Sequence, residues 1–384
     1  MSHSRIALSW PIGQFHGWGV YGLNLMFAML RQQLSPLMLQ PPARLLLHPL
    51  QMRALLPILE ASTPILHALA RHPQPPLHDP DCLLLRHTNG LFVPATLPFR
   101  AGNEVILTFF EQAALPAETI AYARTVPLVV TGSHWNQQVL TATYGLTNAV
   151  CILQGVDTAL FQPAPAQGLL PGRFVIFSGG KLEYRKGQDL VIAAFQRFHA
   201  RHPEAFLVTA WNNRWLSASS RFPERYVTDL PENNDLQSWM GRYLPEGSFL
   251  DVGEIAHPMT PAILREAHVG LFPNRCEGGT NLVAMECMAV GVPVILSDNT
   301  GHREWIDPQR CYPLTRQEVC RDLQNGAILT DWGESSVEEI LVHLETIYTH
   351  HHEARCRGAA ASRFVHAFSW QRQCDQLLTL LQQI

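Results

Sequence analysis

Two carboxylates and three cations carry most of the chemistry this sequence can offer. Glu277 and Glu286 flank the run GGTNLVAM, and Glu286 is the one charged residue between Gly278 and Ser297. On a helix its neighbours are Leu282, Val283, Ala289 and Val290. A bare carboxylate on such an apolar face is costly to bury without hydrogen-bond partners. Two readings follow: a buried Glu satisfied by protein donors, or a Glu that accepts hydrogen bonds from ligand hydroxyls such as those of a ribose. The cations Lys181, Arg185 and Lys186 crowd the turn FSGGKLEYRKG (177–187), which also holds Gly180. Between the end of a strand and the start of a helix they could neutralise a diphosphate, helped by the helix N-terminus. A solvated basic turn is the other reading. No GKS or GKT follows, so this is not a Walker A loop.

The turn before Glu286 has the same layout. HVGLFP (268–273) ends as a strand, EGGTN turns, and a helix begins near Leu282. Gly278 and Gly279 let the backbone approach a ligand closely, Thr280 or Asn281 is the N-cap, and the amides of residues 279 to 282 would face an anion.

The elements that must position these groups alternate in type. RIALSW (5–10), EVILTFF (104–110) and PLVVTGS (127–133) read as strands, and VYGLNLMFAML (20–30) as a helix. A second series begins at FVIFSGG (174–180) and continues with AFLVTAW (205–211), HVGLFP and VPVILS (292–297). Apolar strands separated by helices suit parallel sheets covered on both faces. The uncharged, Pro- and Gly-rich stretch QPAPAQGLLPG (162–172) divides the two series as a linker. The expected fold class is therefore α/β, with two Rossmann-like doubly wound domains facing a cleft.

Composition removes several alternatives. A net charge of −4 over 384 residues gives no electrostatic reason to expect nucleic acid. The eight cysteines form no CxxC pair and read as reduced thiols. Eighteen scattered histidines give neither HExxH nor a zinc quartet, and His350, His351 and His352 read as a surface cluster. The N-terminal apolar run is too short for a signal peptide, and no stretch has the length of a membrane span. A cytoplasmic protein is expected. Peripheral membrane contact stays open through the Leu/Pro/Arg-rich region 34–80, where a solvated covering helix is the plainer reading.

Several segments, taken in order, resemble family 4 retaining glycosyltransferases of the GT-B fold (group 1 glycosyltransferases). WPIGQFHGWGVYGLNL (10–25) resembles the family's N-terminal glycine loop and helix, and VTGSHWNQQVLTATYG (130–145) a following strand and helix. LQGVDTALFQP (153–163) is similar to the segment before the inter-domain linker, FSGGKLEYRKGQDL to the phosphate loop, and PNRCEGGTNLVAMECMAVGVPVI to the Glu…Glu motif. HAFSWQRQCDQLL (366–378) resembles the closing helix that returns to the N-terminal domain.

The resemblance implies an acceptor-side domain over 1–164 with a crossover helix at about 366–384, and a donor domain over 172–365. It implies sugar transfer with retention, from a nucleotide-diphospho-sugar to an unidentified acceptor, in glycan or glycoconjugate biosynthesis. Lys181 and Lys186 would hold the diphosphate with help from Arg185, Glu286 would bind the ribose, and Glu277 would contact the transferred sugar or sit beside its leaving phosphate. No cofactor or divalent metal is expected. The only DxD, Asp79-Pro80-Asp81, reads as a solvated Pro-rich loop.

Two departures stand out. Eight residues rather than seven separate Glu277 from Glu286, so the turn is one residue longer. Many relatives place a His near the end of the fourth strand; here ILTFFEQ offers Glu111, either as a cleft group or as an acid at a helix start. His16, Gly17, Trp18, Gly19 and His134 are further acceptor-side candidates, and each could equally pack. The rival functions are a non-catalytic nucleotide-sugar-binding or scaffold protein and a sugar-nucleotide epimerase. Donor, acceptor and oligomeric state are not readable.

Overall fold

Short runs of β-branched and aliphatic residues build two parallel sheets in this computed structural model, which describes residues 5–212, 221–232 and 235–384. The first sheet contains β1 (Arg5–Leu8), β2 (Ser35–Met38), β3 (Leu77–His87), β4 (Phe99–Thr108), β5 (Leu128–Thr131) and β6 (Ala149–Cys151), in the spatial order β2-β1-β3-β4-β5-β6. The second contains β7 (Phe174–Gly179), β8 (Ala205–Ala210), β9 (Phe249–Asp251), β10 (Val269–Phe272), β11 (Val294–Ser297) and β12 (Tyr312–Leu314), in the order β12-β11-β10-β7-β8-β9. Each is a doubly wound sheet whose strand order reverses once, at β1/β3 and at β7/β10. In such sheets, ligands bind beyond the carboxyl ends of the strands at the reversal.

The chain forms two compact units. One comprises Met1–Gly155, Ala256–Pro258 and Phe368–Ile384, the other Val156–Ile255 and Met259–Ala367. In the first unit, helices α1 (Gly17–Arg31), α2 (Pro49–Leu69), α3 (Ala117–Ala123) and α4 (His134–Gln138) accompany the sheet. Its core includes Ala7, Leu84 and Phe99. The second unit carries α5 (Gln188–His199), α6 (Leu236–Met240), α7 (Thr260–Leu264), α8 (Leu282–Ala289), α9 (Val337–Thr349) and α10 (His351–Val365). Ile176, Leu207, Leu271 and Ile295 meet Phe195 and Trp239 in its core. The last helix, α11 (Trp370–Leu381), belongs to the first unit. Ser369 caps it, and Gln32 Nε2 donates to Asp375 Oδ1 at 3.0 Å.

The structure differs from the sequence reading in several places. The units divide at Gly155/Val156 rather than at 164, because the supposed linker is tied to the second unit. The Glu266 carboxylate accepts from the backbone amides of Gln167, Gly168 and Leu169, and Arg265 donates to the carbonyls of Leu160 and Gln162. Asp79-Pro80-Asp81 lies in strand β3, not in a loop. A register shift between Asp79 and Leu83 accommodates the proline, and Asp79 pairs with Arg5 at 3.0 Å. Helix α2 does occupy part of the 34–80 region, despite Pro57 and Pro64 within it. A hairpin of β13 (Gln317–Arg321) and β14 (Ile328–Ser335) had no expected counterpart. Among the described residues all eight cysteines are free; Cys356 is exposed and Cys151 half-buried, the others buried. No described helix is long and apolar enough to cross a membrane.

Candidate functional site

At the β7/β10 reversal two loops leave neighbouring strands that pair Val269 with Ile176 and Gly270 with Phe177. The first loop makes a single 3₁₀ turn at Tyr184–Lys186 and enters α5 through Gly187. Gly187 has φ +69, and a Cβ there would collide with the carbonyl of Pro273, so the close approach of the two loops requires glycine. The carbonyl of Arg185 accepts from the amides of Arg275 (2.6 Å) and Cys276 (3.2 Å).

The side chains converge on one oxygen. Glu277 Oε1 accepts from Arg185 Nη1 at 2.8 Å, from Asn274 Nδ2 at 3.1 Å and from the ammonium of Lys186. Arg185 also reaches Glu183 at 2.7 Å. Glu277 is buried, which alone would raise its pKa, but Lys186 and Arg185 overcome this and hold it down at about 2. Lys181 is not gathered here: it is exposed, its carbonyl accepts from Gln188 Nε2 at 2.7 Å, and its charge acts on Glu183. The stem of Lys186 lies over Gly180.

Asn281, rather than Thr280, caps α8 by accepting from the Ala284 amide. It holds φ +57, a left-handed conformation that Asn tolerates. Glu277, four residues earlier, stands just past β10 and beside Lys186. Gly278, Gly279 and Thr280 are buried, and the turn packs against the 299–305 segment. Glu286 is buried on the second turn of α8, whose first residues, Leu282 and Val283, are the half-buried ones.

Sequence reasoning missed two buried residues here. Arg275 is fully buried and forks onto both oxygens of Asp189 (2.8 and 2.7 Å), with further bonds to Glu334 Oε2 and the Tyr184 carbonyl, each at 2.8 Å. It fixes the loop that carries Arg185 and Lys186. His302 is buried and accepts from Asn281 Nδ2 at 2.9 Å. Ser297 spends its proton on the carbonyl of Asn274 (2.5 Å), so His302 Nδ1 carries the hydrogen toward Ser297 Oγ, and the imidazole is neutral.

The first unit has its own group at the β1/β3 reversal. His87 ends β3, with Nδ1 at 2.8 Å from Ser9 Oγ just past β1. The rings of Trp18, His87 and Phe109 meet at centroid distances of 5.4 Å (Trp18–His87) and 4.5 Å (Trp18–Phe109). A histidine the sequence reading did not single out, in LLLRHTNG, thus ends the strand that pairs with β4. Glu111 does not start a helix: it follows β4 in a loop, its amide donates to the Gly90 carbonyl at 2.8 Å, and α3 begins only at Ala117. His16 is the N-cap of α1, with no side-chain cap bond. Gly17 opens that helix, and Gly19 packs against the Gly13 backbone, whose amide donates to the Gly19 carbonyl at 3.1 Å. His134 is exposed at the start of α4.

The buried imidazoles make a pH prediction. Burial lowers both His87 and His302 from 6.5 to about 4. The unfolded chain takes up these protons near pH 6.5 and the native state does not. Stability is therefore intact above pH 6.5 and falls as pH drops toward 4, by about 3 kcal/mol for His302 alone. Urea midpoints measured across this range should decline; a flat profile would mean that both rings are solvated.

Two doubly wound parallel sheets with these strand orders define the GT-B class of α/β fold. Residues 164–312 match the family model described as glycosyl transferases group 1. Residues 258–377 match that of a family 4 glycosyltransferase in conflict systems. A phosphatidyl-myo-inositol mannosyltransferase of Mycolicibacterium smegmatis is 28% identical over 154 residues, 40% of this chain and 35% of that protein. A GDP-mannose-dependent mannosyltransferase of Corynebacterium glutamicum, acting on a monoacylated phosphatidylinositol monomannoside, is 25% identical over 59% of this chain and 54% of its own. The chain thus spans about a third to a half of these curated relatives. Among solved structures, Anabaena HepE in complex with UDP and glucose aligns with a TM-score of 0.67 at 12% identity, covering 99% of this chain and 100% of that one. Sucrose-phosphate synthase from Thermosynechococcus elongatus aligns at 0.64 and 17% identity, covering 99% and 98%. At such identities the likeness is one of fold. Together these likenesses support a group 1 glycosyltransferase on the GT-B fold.

Proposed function

We propose that this protein transfers a sugar, with retention, from a nucleotide-diphospho-sugar to an acceptor. The observation that carries the reading is the Lys186–Arg185–Glu277 cluster at the β7/β10 reversal, beside a helix that buries Glu286. In this reading Lys186, Arg185 and the exposed Lys181 stabilise charge on the departing diphosphate, with the start of α8 contributing its dipole. Glu286 accepts from the ribose hydroxyls. Glu277 holds both cations at the strand end, where the transferred sugar would lie. The charge to be neutralised is met by side-chain cations, so the reading requires no divalent metal. HepE's complex with UDP and glucose supports a nucleotide-sugar as the donor class. Ser9, His87 and Trp18, with His16, Gly17, Gly19, Glu111 and His134 around the same sheet end, form the acceptor side of the proposal.

Transfer and hydrolysis assays with UDP-glucose and GDP-mannose test it. Turnover of either donor is expected. Glu286→Ala should weaken donor binding at least tenfold, or about 1.4 kcal/mol, by removing charge-assisted hydrogen bonds. Donor binding without turnover would favour a nucleotide-sugar-binding scaffold. Full affinity in Glu286→Ala would remove the ribose assignment.

A further inference from the structure

The lengthened turn is gripped by a second loop. Thr300 Oγ1 accepts from the Glu277 amide at 2.8 Å and donates to Asn299 Oδ1 at 3.0 Å. The Gly301 amide donates to the Glu277 carbonyl at 2.9 Å, and a Cβ on Gly301 would collide with the Gly279 carbonyl. His302 Nε2 accepts from the side-chain Nδ2 of Asn281 at 2.9 Å, and Trp305 Nε1 donates to the Thr280 carbonyl at 2.7 Å. Asn299 anchors this loop from behind, donating to the carbonyls of Asn274 (2.9 Å) and Gly333 (3.2 Å) and to Gln317 Oε1 (2.8 Å).

Thr300 is buried and has φ +37. A β-branched residue in the left-handed region is a steric outlier, and such strain persists only where the surroundings over-determine it. Glycine would relieve that strain but would bring no hydroxyl to Glu277.

We infer that Thr300 and His302 are positioning residues: Thr300 pins the backbone of Glu277, and His302 pins the left-handed Asn281, so that a turn one residue longer still aims Glu277 at Lys186 and Arg185. This rests on the glycosyltransferase reading for its consequence in catalysis, but the clasp itself can be examined without any donor. Glu277 and Asn281 mark the two ends of the extended turn, and each is held by a different side chain of the same loop. Neither residue touches the reacting atoms in this account; both act through Glu277.

The experiment compares wild type with Thr300→Gly, Thr300→Ser and His302→Phe. Hydrogen exchange of the 277–281 amides is measured in the protein alone, with melting temperature and steady-state transfer from UDP-glucose and GDP-mannose alongside. Thr300→Gly is expected to melt near wild type, since strain relief offsets the lost hydrogen bonds, while protection at Glu277 falls. Its kcat should drop roughly 10²-fold, the scale of a small misplacement, with a smaller change in donor KM. Thr300→Ser should restore both protection and kcat, and His302→Phe should speed exchange of the Asn281 side-chain NH2. Unchanged exchange in Thr300→Gly overturns the clasp whichever donor the protein uses. Equal loss of melting temperature in the Gly and Ser variants assigns Thr300 to folding alone and also overturns it. If wild type turns over neither donor, the glycosyltransferase reading fails and the exchange data decide the clasp.

Discussion

Glu277→Ala is expected to lose about 3 kcal/mol of stability and at least roughly 10²-fold in transfer. The stability loss arises because Lys186 and Arg185, with side chains only 10% and 11% exposed, would lose their shared carboxylate. Breaking a buried ion pair from one side costs about 3–5 kcal/mol, and the lower end applies because Arg185 keeps Glu183. The kinetic loss arises because cations that move to find water no longer stand preorganised for a developing charge. Lys186→Ala separates the two effects: Glu277 retains Arg185 and Asn274, so stability falls less while transfer falls as far. Glu277→Gln should fold with intermediate activity. Acid should act on wild type in the same sense. Glu277 contributes stability that is fully present above pH 4.5 and lost as pH falls toward 2. Urea unfolding and donor-turnover assays on the three variants check this; wild-type stability and rate in Glu277→Ala would show the cluster to be idle.

What was legible in the sequence is what short-range pattern can encode. Seven of the twelve sheet strands announced themselves as apolar runs, the run at 104–110 covering only the second half of β4, while the short strands β2, β6, β9 and β12 were not read. Glu286 stood out because a charge on an apolar helical face is rare, and it is buried as that pattern demanded. Strand β3 was hidden because Pro80 and two aspartates sit in its first half, where only a register shift admits them. His87 was hidden with it. The cation loop was visible, but not which cations would meet Glu277. Lys181 comes first in the chain and stays exposed, whereas Arg185 and Lys186 are turned inward by a 3₁₀ turn that no periodicity reveals. The clasp at 299–305 lay beyond reach for a further reason. Thr300, Gly301 and His302 have meaning only against a turn more than twenty residues upstream.

Arg275 shows the same limit and carries the second large prediction. Within PNRCEGG it looks like a turn residue, and Asp189 looks like an acid favoured at the start of a helix. Their bidentate pair joins positions 86 apart in sequence, and the guanidinium also lies 4.3 Å from the Tyr184 ring centroid. Arg275→Met should therefore cost about 3–5 kcal/mol, because Asp189 would be left as a buried, uncompensated acid. Arg275→Lys should recover only part of this: an ammonium cannot fork onto two oxygens while also serving Glu334 and the Tyr184 carbonyl. Pairing Arg275→Met with Asp189→Leu removes both charges and should regain most of the loss, since apolar replacement of a buried pair is often close to neutral. Transfer activity should not follow. The double variant still lacks the donor that holds Tyr184, so the loop presenting Arg185 and Lys186 would be loosened in a stable protein. Urea midpoints that recover while kcat stays low would assign Arg275 to loop placement. Recovery of both would reduce it to a packing residue whose charge the fold can do without.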